Sequence, residues 1–107
     1  MLEIYPFILE TIKLLRPISA CIARHDPDLA RQFRRARSSI ALNVAEGMYS
    51  RGRNKQARYH SALGSARESL GCLELAFAEG YVTAADDALI ARFDRIIGTL
   101  VRLSGAV

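Results

Sequence analysis

Basic side chains crowd the middle third of the chain, and their type suits phosphate binding. Residues 31–67 contain nine basic residues and one acid, Glu46, so this segment carries a net charge of +8 and the rest of the chain −4. Thirteen of the fifteen basic residues in the chain are arginine, whose planar guanidinium matches phosphate oxygens. This distribution is typical of a protein that binds a polyanion, although solvated arginines without a ligand give the same pattern. The predicted phosphate contacts are Arg31, Arg34, Arg35, Arg51, Arg53, Lys55 and Arg58.

The last four of these cations gather at the start of the third predicted helix. Cations are mildly disfavoured there, because the helix macrodipole places partial positive charge at an N-terminus. A bound phosphate would reverse this penalty, with the free helix amides and the flexible Gly52 turn completing the site. The two groups of cations lie near opposite ends of the second predicted helix, about 20 to 27 Å apart. They share a ligand only if it is long or if neighbouring subunits bring them together.

Other arrangements for chemistry are weaker. Cys21 and His25 are four residues apart on a helix, but no second ligand pair completes a metal site, so we interpret them as a core residue and a helix-end cation. His60 and Ser61 are consecutive on an exposed flank, with Glu68 two turns on, which does not predict a catalytic triad. The sequence contains no phosphate loop, dinucleotide fingerprint or paired-carboxylate motif. We therefore expect no enzyme activity, no metal and no cofactor.

The length and composition indicate one small helical domain, which we place over residues 1–107. Half of the residues are apolar, tryptophan is absent, and alanine, leucine, isoleucine and arginine dominate. Cys21 and Cys72 do not form a disulfide pattern, which favours a reducing cytoplasm. The first fifteen residues include Glu3 and Glu10 and lack a basic start, which argues against a signal peptide. No apolar run reaches membrane-spanning length, so we expect no membrane partner.

The first two predicted helices follow from apolar spacing and a strong boundary signal. A stripe at alternating steps of four and three predicts a helix from about residue 3 to 24 that continues through Pro17 as an outward kink. Asp26 as N-cap and Pro27 at the first helical position begin a second helix, over about 27 to 49. The two stripes are Ile4, Ile8, Thr11, Leu15, Ile18 and Ile22, then Leu29, Phe33, Ala36, Ile40 and Val44.

Two further helices complete the pattern. Residues 50–53 are typical of a tight connection, and a heptad seam predicts a third helix from about Asn54 to Glu79. Gly80 ends that helix, and Thr83 with Asp86 resembles a capping box that opens a fourth helix. Short connections imply antiparallel neighbours, so the predicted architecture is an all-α, up-down-up-down antiparallel four-helix bundle. The third seam is Tyr59, Leu63, Ala66, Leu70, Leu73 and Phe77, and the fourth is Leu89, Phe93, Ile96, Leu100 and Leu103.

Small and apolar residues on outward faces predict self-association. Gly64 and Gly71 lie on one face of the third predicted helix, in a smooth strip that another backbone could approach closely. Each costs about 1 kcal/mol relative to alanine in a helix interior, so each needs a reason. Leu42 and Ala45 lie opposite the core stripe of the second predicted helix, where a monomer prefers polar residues. We predict these four residues at an oligomer interface.

Several stretches resemble a known bacterial family. Residues 39–47 (SIALNVAEG), 50–53 (SRGR), 62–66 (ALGSA) and 73–81 (LELAFAEGY) are similar to the four-helix-bundle proteins encoded within 23S ribosomal RNA intervening sequences. The likeness spans about residues 3 to 104, and a related branch is the accessory variability protein of diversity-generating retroelements. The resemblance implies a homopentameric ring with a basic surface that associates with RNA or DNA. The retroelement branch partners a reverse transcriptase. Pro17 and a short N-terminal lead depart from the family pattern.

Asn43 and Glu46 flank the core stripe of the second predicted helix. Both can reach a neighbouring helix or subunit, so we predict a structural hydrogen-bond network. In it Asn43 fixes the register, and Glu46 pairs with an arginine, Arg37 or Arg67. A catalytic Glu46 is the weaker alternative.

The sequence therefore predicts a cytoplasmic, cofactor-free bundle that self-assembles and binds nucleic acid, RNA more than DNA, with little sequence selectivity. The alternative is a protein-interaction scaffold that docks an acidic partner or a nucleic-acid enzyme such as a reverse transcriptase. A small-molecule-binding bundle ranks below both, because the core stripes lack convergent polar residues.

Overall fold

Four α-helices form the regular structure of the described residues, as the apolar periodicity predicts. The computed structural model describes residues 2–83 and 87–105, and within those ranges it contains no β-strand. The predicted all-α fold is therefore confirmed, while the proposed capping residue Asp86 lies outside the described residues. None of the described helices combines the length and apolarity that crossing a membrane requires. The helices are α1 (Ile4–His25), α2 (Pro27–Met48), α3 (Gly52–Ala78) and α4 (Asp87–Leu103).

A single residue, Asp26, separates α1 from α2. Its carboxylate accepts a hydrogen bond from the backbone amide of Leu29 at 3.0 Å and so caps α2 as predicted. Pro27 is the first residue of α2, a position that needs no helical N–H donor. The predicted continuation of α1 through Pro17 is also confirmed, because the helix is unbroken on both sides of it.

Neighbouring helices run antiparallel. Ser39 contacts Ser65, and further along α2 Glu46 contacts Arg58, so residue numbers rise on α2 as they fall on α3. The same holds between α1 and α4, where Phe7 contacts Arg95 and, further along α1, Thr11 contacts Arg92. With α1 also packed on α2 and α3 on α4, these contacts fit the predicted up-down-up-down order.

The connection from α2 to α3 is as tight as predicted, although α3 begins two residues earlier than Asn54. Gly52 is the first residue of α3 and has φ +58°, a left-handed value that strains any residue with a Cβ atom. This conformation lets the chain reverse direction within a few residues. It brings the C-terminal end of α2 beside the first turns of α3.

The apolar stripes form one core, and α3 contributes more to it than its seam predicts. Leu70 and Phe77 of that seam are only partly buried, as is Ile18 of α1. The reason is position: α3 packs against both α2 and α4 and therefore buries two adjacent stripes. The additional buried residues of α3 are Ala62, Ser69, Cys72 and Ala76.

Gly47 lies buried where the ring of Tyr59 packs directly on the backbone of α2. A Cβ atom at this position would lie 2.5 Å from Cε1 of Tyr59 and 2.9 Å from Cδ1, which is closer than two non-bonded carbon atoms approach each other. The Tyr59 side chain is itself 3% exposed, so it has little room to move away. A close approach of α3 thus accounts for the glycine that ends the stretch SIALNVAEG.

Candidate nucleic-acid interface

An open groove between α2 and α3 holds three of the predicted phosphate contacts. Arg34 and Arg35 come from the middle of α2, and Arg58 comes from the first turns of α3. Because the two helices are antiparallel, Arg58 lies beside the C-terminal end of α2, and the groove extends from there toward Arg34. This arginine groove has a volume of about 460 Å³. Its lining residues are Arg34, Arg35, Ser38, Ser39, Leu42, Asn43, Glu46 and Arg58.

The groove joins the two groups of cations that the sequence places apart. From Arg34 to Glu46 the groove runs along twelve residues of α2, which corresponds to about 18 Å of helix. Arg58 belongs to the group at the start of α3, yet it contacts the far end of this groove through Glu46. A ligand laid along α2 therefore reaches both groups within one subunit.

Glu46 pairs with Arg58, and both predicted partners were wrong. Oε2 of Glu46 lies 3.0 Å from Nε of Arg58, and the two side chains are each about half exposed. Arg37 is buried instead toward α1, where Nη1 donates to the carbonyl of Ile12 at 3.3 Å. Arg67 lies nine residues beyond Arg58 along α3, too far along the antiparallel pair to reach Glu46.

Asn43 belongs to a short chain of hydrogen bonds that links α2 to α3. Its amide nitrogen donates to both the carbonyl and the hydroxyl oxygen of Ser39, each at 3.0 Å. The hydroxyl of Ser65 donates to the hydroxyl oxygen of Ser39 at 2.8 Å. Ser39 is thus the link between helices, a role that sequence reasoning missed because serine side chains carry no strong positional signal. That Asn43 fixes the helix register stays a prediction.

The remaining predicted phosphate contacts lie outside the arginine groove. Arg31 forms an ion pair with Asp28, one turn earlier on α2. Arg51 and Arg53 are exposed around the start of α3, and Lys55 is half-buried one turn further on. The structure therefore brings together Arg34, Arg35 and Arg58, and it places the other four around them.

Two arginines of α4, Arg92 and Arg95, make contacts with α1. Arg92 forms an ion pair with Glu10 at 3.1 Å, and its Nε donates to the hydroxyl of Thr11 at 2.9 Å. The guanidinium groups of Arg92 and Arg95 lie 4.0 and 4.2 Å from the ring centroid of Phe7. These cations fasten α4 to α1. They do not extend the basic surface of α2 and α3.

The predicted interface residues point outward from the bundle or lie at its edge. Leu42 is 65% exposed and lines the arginine groove, while Ala45 is half-buried. Gly64 and Gly71 are exposed, and a Cβ atom on either would meet nothing within 4 Å. Packing inside one subunit therefore does not require glycine at these two positions.

Cys21 and His25 both contact Tyr81 within the fold. The thiol of Cys21 donates to the carbonyl of Tyr81 at 3.1 Å, and the ring of His25 stacks on that of Tyr81 with centroids 5.3 Å apart. Burial, and next the charge of Glu68, raise the pKa of the Cys72 thiol, which disfavours the reactive thiolate. Across residues 2–83 and 87–105, no group of three or more His, Cys, Asp or Glu side chains could hold a metal ion.

Comparison with known proteins gives one family. A family model described as 23S rRNA-intervening sequence protein matches residues 7–102, a span that includes α2, α3 and α4 almost to its end and most of α1. No curated protein and no solved structure matches the chain.

Proposed function

Since the chain belongs to the 23S rRNA-intervening sequence protein family, we propose that it is a non-enzymatic bundle that binds nucleic acid, RNA in preference to DNA. The observation that carries this proposal is the arginine groove, where Arg34, Arg35 and Arg58 line one open channel with Glu46 as its single carboxylate. The surrounding cations Arg31, Arg51, Arg53 and Lys55 extend the positive potential to both ends of α2. A phosphate backbone laid along α2 therefore meets arginine at both ends of the groove.

The Glu46–Arg58 pair does not prevent such binding. An ion pair between half-exposed side chains contributes about 0 to 1 kcal/mol, because water screens both charges. A phosphate oxygen that approaches Arg58 competes with Glu46 at little cost. Contacts to phosphate carry no sequence information, so recognition along this groove depends on charge and spacing.

Salt dependence tests this proposal. In a fluorescence anisotropy titration against a structured RNA and a duplex DNA, affinity is expected to fall roughly 40- to 6,000-fold between 50 and 200 mM salt, as counterions released by three to seven phosphate contacts require. RNA is expected to bind more tightly than DNA. Affinity too weak to measure at low salt, or affinity independent of salt, contradicts the proposal.

Assembly into several copies is the second part of the proposal. Each subunit offers a weak electrostatic attraction, and linked copies multiply it because the second contact becomes intramolecular. Leu42, exposed among arginines, and the open faces of Gly64 and Gly71 support a contact between subunits. We place Ala45 at the same contact.

Substitution of these residues tests assembly. Leu42→Asp and Gly64→Leu are each expected to convert the oligomer to a monomer in light scattering, because one buries a charge and the other fills the space that a neighbouring backbone needs. Only Gly64→Leu lies outside the arginine groove, so a weaker RNA affinity of this variant reports the loss of assembly. Leu14→Asp, on a partly exposed leucine of α1, is the matched control and leaves the mass unchanged. A wild-type protein that scatters as a single subunit contradicts this part of the proposal.

A further inference from the structure

A second groove, between α1 and α2, contains a buried arginine, Arg37, that forms no ion pair with the carboxylates of residues 2–83 and 87–105. We propose that this α1/α2 groove binds a single phosphate group, held by the guanidinium groups of Arg37 and Arg34. The inference deepens the proposed function and rests on it for the nucleic-acid source of the phosphate.

Arg37 is the core of this site. Its side chain belongs to a residue only 8% exposed, and its Nε has no hydrogen-bond partner. Nη1 makes one long hydrogen bond, 3.3 Å, to the carbonyl of Ile12, and the guanidinium lies 5.8 Å from the ring centroid of Phe33. Within the part of the chain that the structure describes, no ion pair includes Arg37. A guanidinium offers five N–H donors, and the described residues provide a hydrogen-bond acceptor for one of its nitrogens, Nη1.

The groove provides space beside the Arg37 side chain, which lines it. Nε itself is buried, so an anion in the groove would meet the Nη atoms. The volume of the groove is about 370 Å³, and Arg37, Arg34 and Arg31 line it together with small side chains of α1, among them Ser19 and Ala20. The small residues let a tetrahedral anion approach the guanidinium groups closely. Ser19 adds a hydroxyl that can donate to a phosphate oxygen.

The electrostatics of the groove favour an anion. Burial first, and then the neighbouring cations Arg34 and Arg16, lower the pKa of Arg37 from its ordinary value. The residues that line the groove include no carboxylate, and Asp28, which pairs with Arg31, has a side chain 87% exposed to water. A buried cation without an ion-pair partner is unfavourable. A phosphate between Arg34 and Arg37 would offset the cost of burying the charge of Arg37 and would reduce the repulsion between the two guanidinium groups.

Arg34 connects this site to the proposed function. It lines both the α1/α2 groove and the arginine groove between α2 and α3. A nucleic-acid backbone that crosses α2 at Arg34 can therefore place one phosphate in the α1/α2 groove and its neighbours along the other.

A purely structural role for Arg37 predicts a different response of the protein to phosphate. Its hydrogen bond to the carbonyl of Ile12 joins α2 to α1 and so contributes to packing of the two helices. If this bond were the whole role of Arg37, the stability of the protein would not respond to phosphate specifically, and substitution of Arg34 would change nothing.

Thermal unfolding without nucleic acid separates the two roles. Inorganic phosphate is expected to raise the melting temperature of the wild-type protein in a saturable manner, above chloride at matched ionic strength. Arg34→Gln is expected to weaken the apparent phosphate affinity roughly tenfold, the loss of a hydrogen bond to a charged group, and Arg37→Met is expected to abolish the response. Arg102→Gln, an exposed arginine of α4 that lines neither groove, is the matched control and keeps it.

A second measurement keeps the test decisive if Arg37→Met does not fold. In the wild-type protein, the Nε–H resonance of Arg37 in a ¹H–¹⁵N spectrum is expected to shift with added phosphate and not with chloride. A diribonucleotide with one phosphodiester should cause the same shift if the source is a nucleic-acid backbone, whereas response to inorganic phosphate alone assigns the site to a terminal or free phosphate. Equal responses to phosphate and chloride, or equal losses in Arg34→Gln and Arg102→Gln, overturn the inference.

The two proposals fail separately. Salt-dependent RNA binding by a protein that shows no phosphate response overturns the α1/α2 site and leaves the arginine groove intact. A phosphate response without RNA binding overturns the proposed function and supports the site as a receptor for a small phosphate.

Discussion

Replacement of Arg34, Arg35 and Arg58 by glutamine is expected to weaken the binding of structured RNA about 10²- to 10³-fold at 0.1 M salt, since each phosphate contact contributes about five- to eightfold at that concentration. These three side chains are the ones that the structure brings into a single groove. Glutamine keeps much of the side-chain length and an N–H donor group, and it removes the charge. A weaker affinity therefore reports the charge at these positions, and it is measured by anisotropy with a fluorescent RNA.

A charge-matched variant provides the control. Lys13, Arg24 and Arg102 are exposed cations on α1 and α4, away from the arginine groove. Their replacement by glutamine changes the net charge of the protein equally and is expected to reduce affinity only a few-fold. Equal reductions in the two triple variants would mean that net charge, and not the groove, determines binding.

Gly47→Ala is expected to lower the free energy of unfolding by about 1 to 2 kcal/mol, because overpacking against Tyr59 outweighs the gain in helix propensity. The new Cβ atom would lie 2.5 Å from Cε1 of Tyr59, whose buried ring cannot move aside without displacing α3. A destabilisation of this size corresponds to a melting temperature lower by about 4 to 16 °C for a domain of this length. Urea unfolding followed by circular dichroism measures it.

Gly98→Ala is the matched control on α4. A Cβ atom at Gly98 has one neighbour within 4 Å, Nη1 of Arg102 at 3.9 Å, which is an ordinary contact. This variant is expected to gain up to about 1 kcal/mol from helix propensity alone. If Gly47→Ala is as stable as Gly98→Ala, the close packing of Tyr59 on α2 does not explain the glycine.

The elements that could be predicted from sequence have strong local signals. Asp26 and Pro27 predict the start of α2 because a capping carboxylate and a fixed φ act within one turn of chain. The stripe through Phe33 and Ile40 predicts the buried face of α2 because helical geometry repeats every 3.6 residues. Neither inference needs knowledge of a neighbouring helix.

Contacts between helices depend on register, which sequence spacing does not determine. Glu46 meets Arg58 because Gly52 makes a tight reversal that sets α2 and α3 against each other at one offset. A different connection would have aligned Glu46 with another side chain of α3. The same dependence explains why the arginine groove could not be predicted as one continuous feature.

The burial of Arg37 did leave a signal in the sequence. Arg37 lies four residues after Phe33 and three before Ile40, and that spacing places it next to the core stripe of α2. Its position in a run of arginines obscured this signal, because the other members of the run face solvent. Helical position, considered residue by residue, separates Arg37 from Arg34 and Arg35.

The slope of log affinity against log salt concentration, compared between the wild-type protein and the Arg34/Arg35/Arg58 triple glutamine variant, tests the arginine groove most directly. The wild-type slope is expected to be steeper by about 2 to 3, because the wild-type protein neutralises three more phosphates than the variant does. Parallel lines for the two proteins would show that these three arginines do not touch the phosphate backbone.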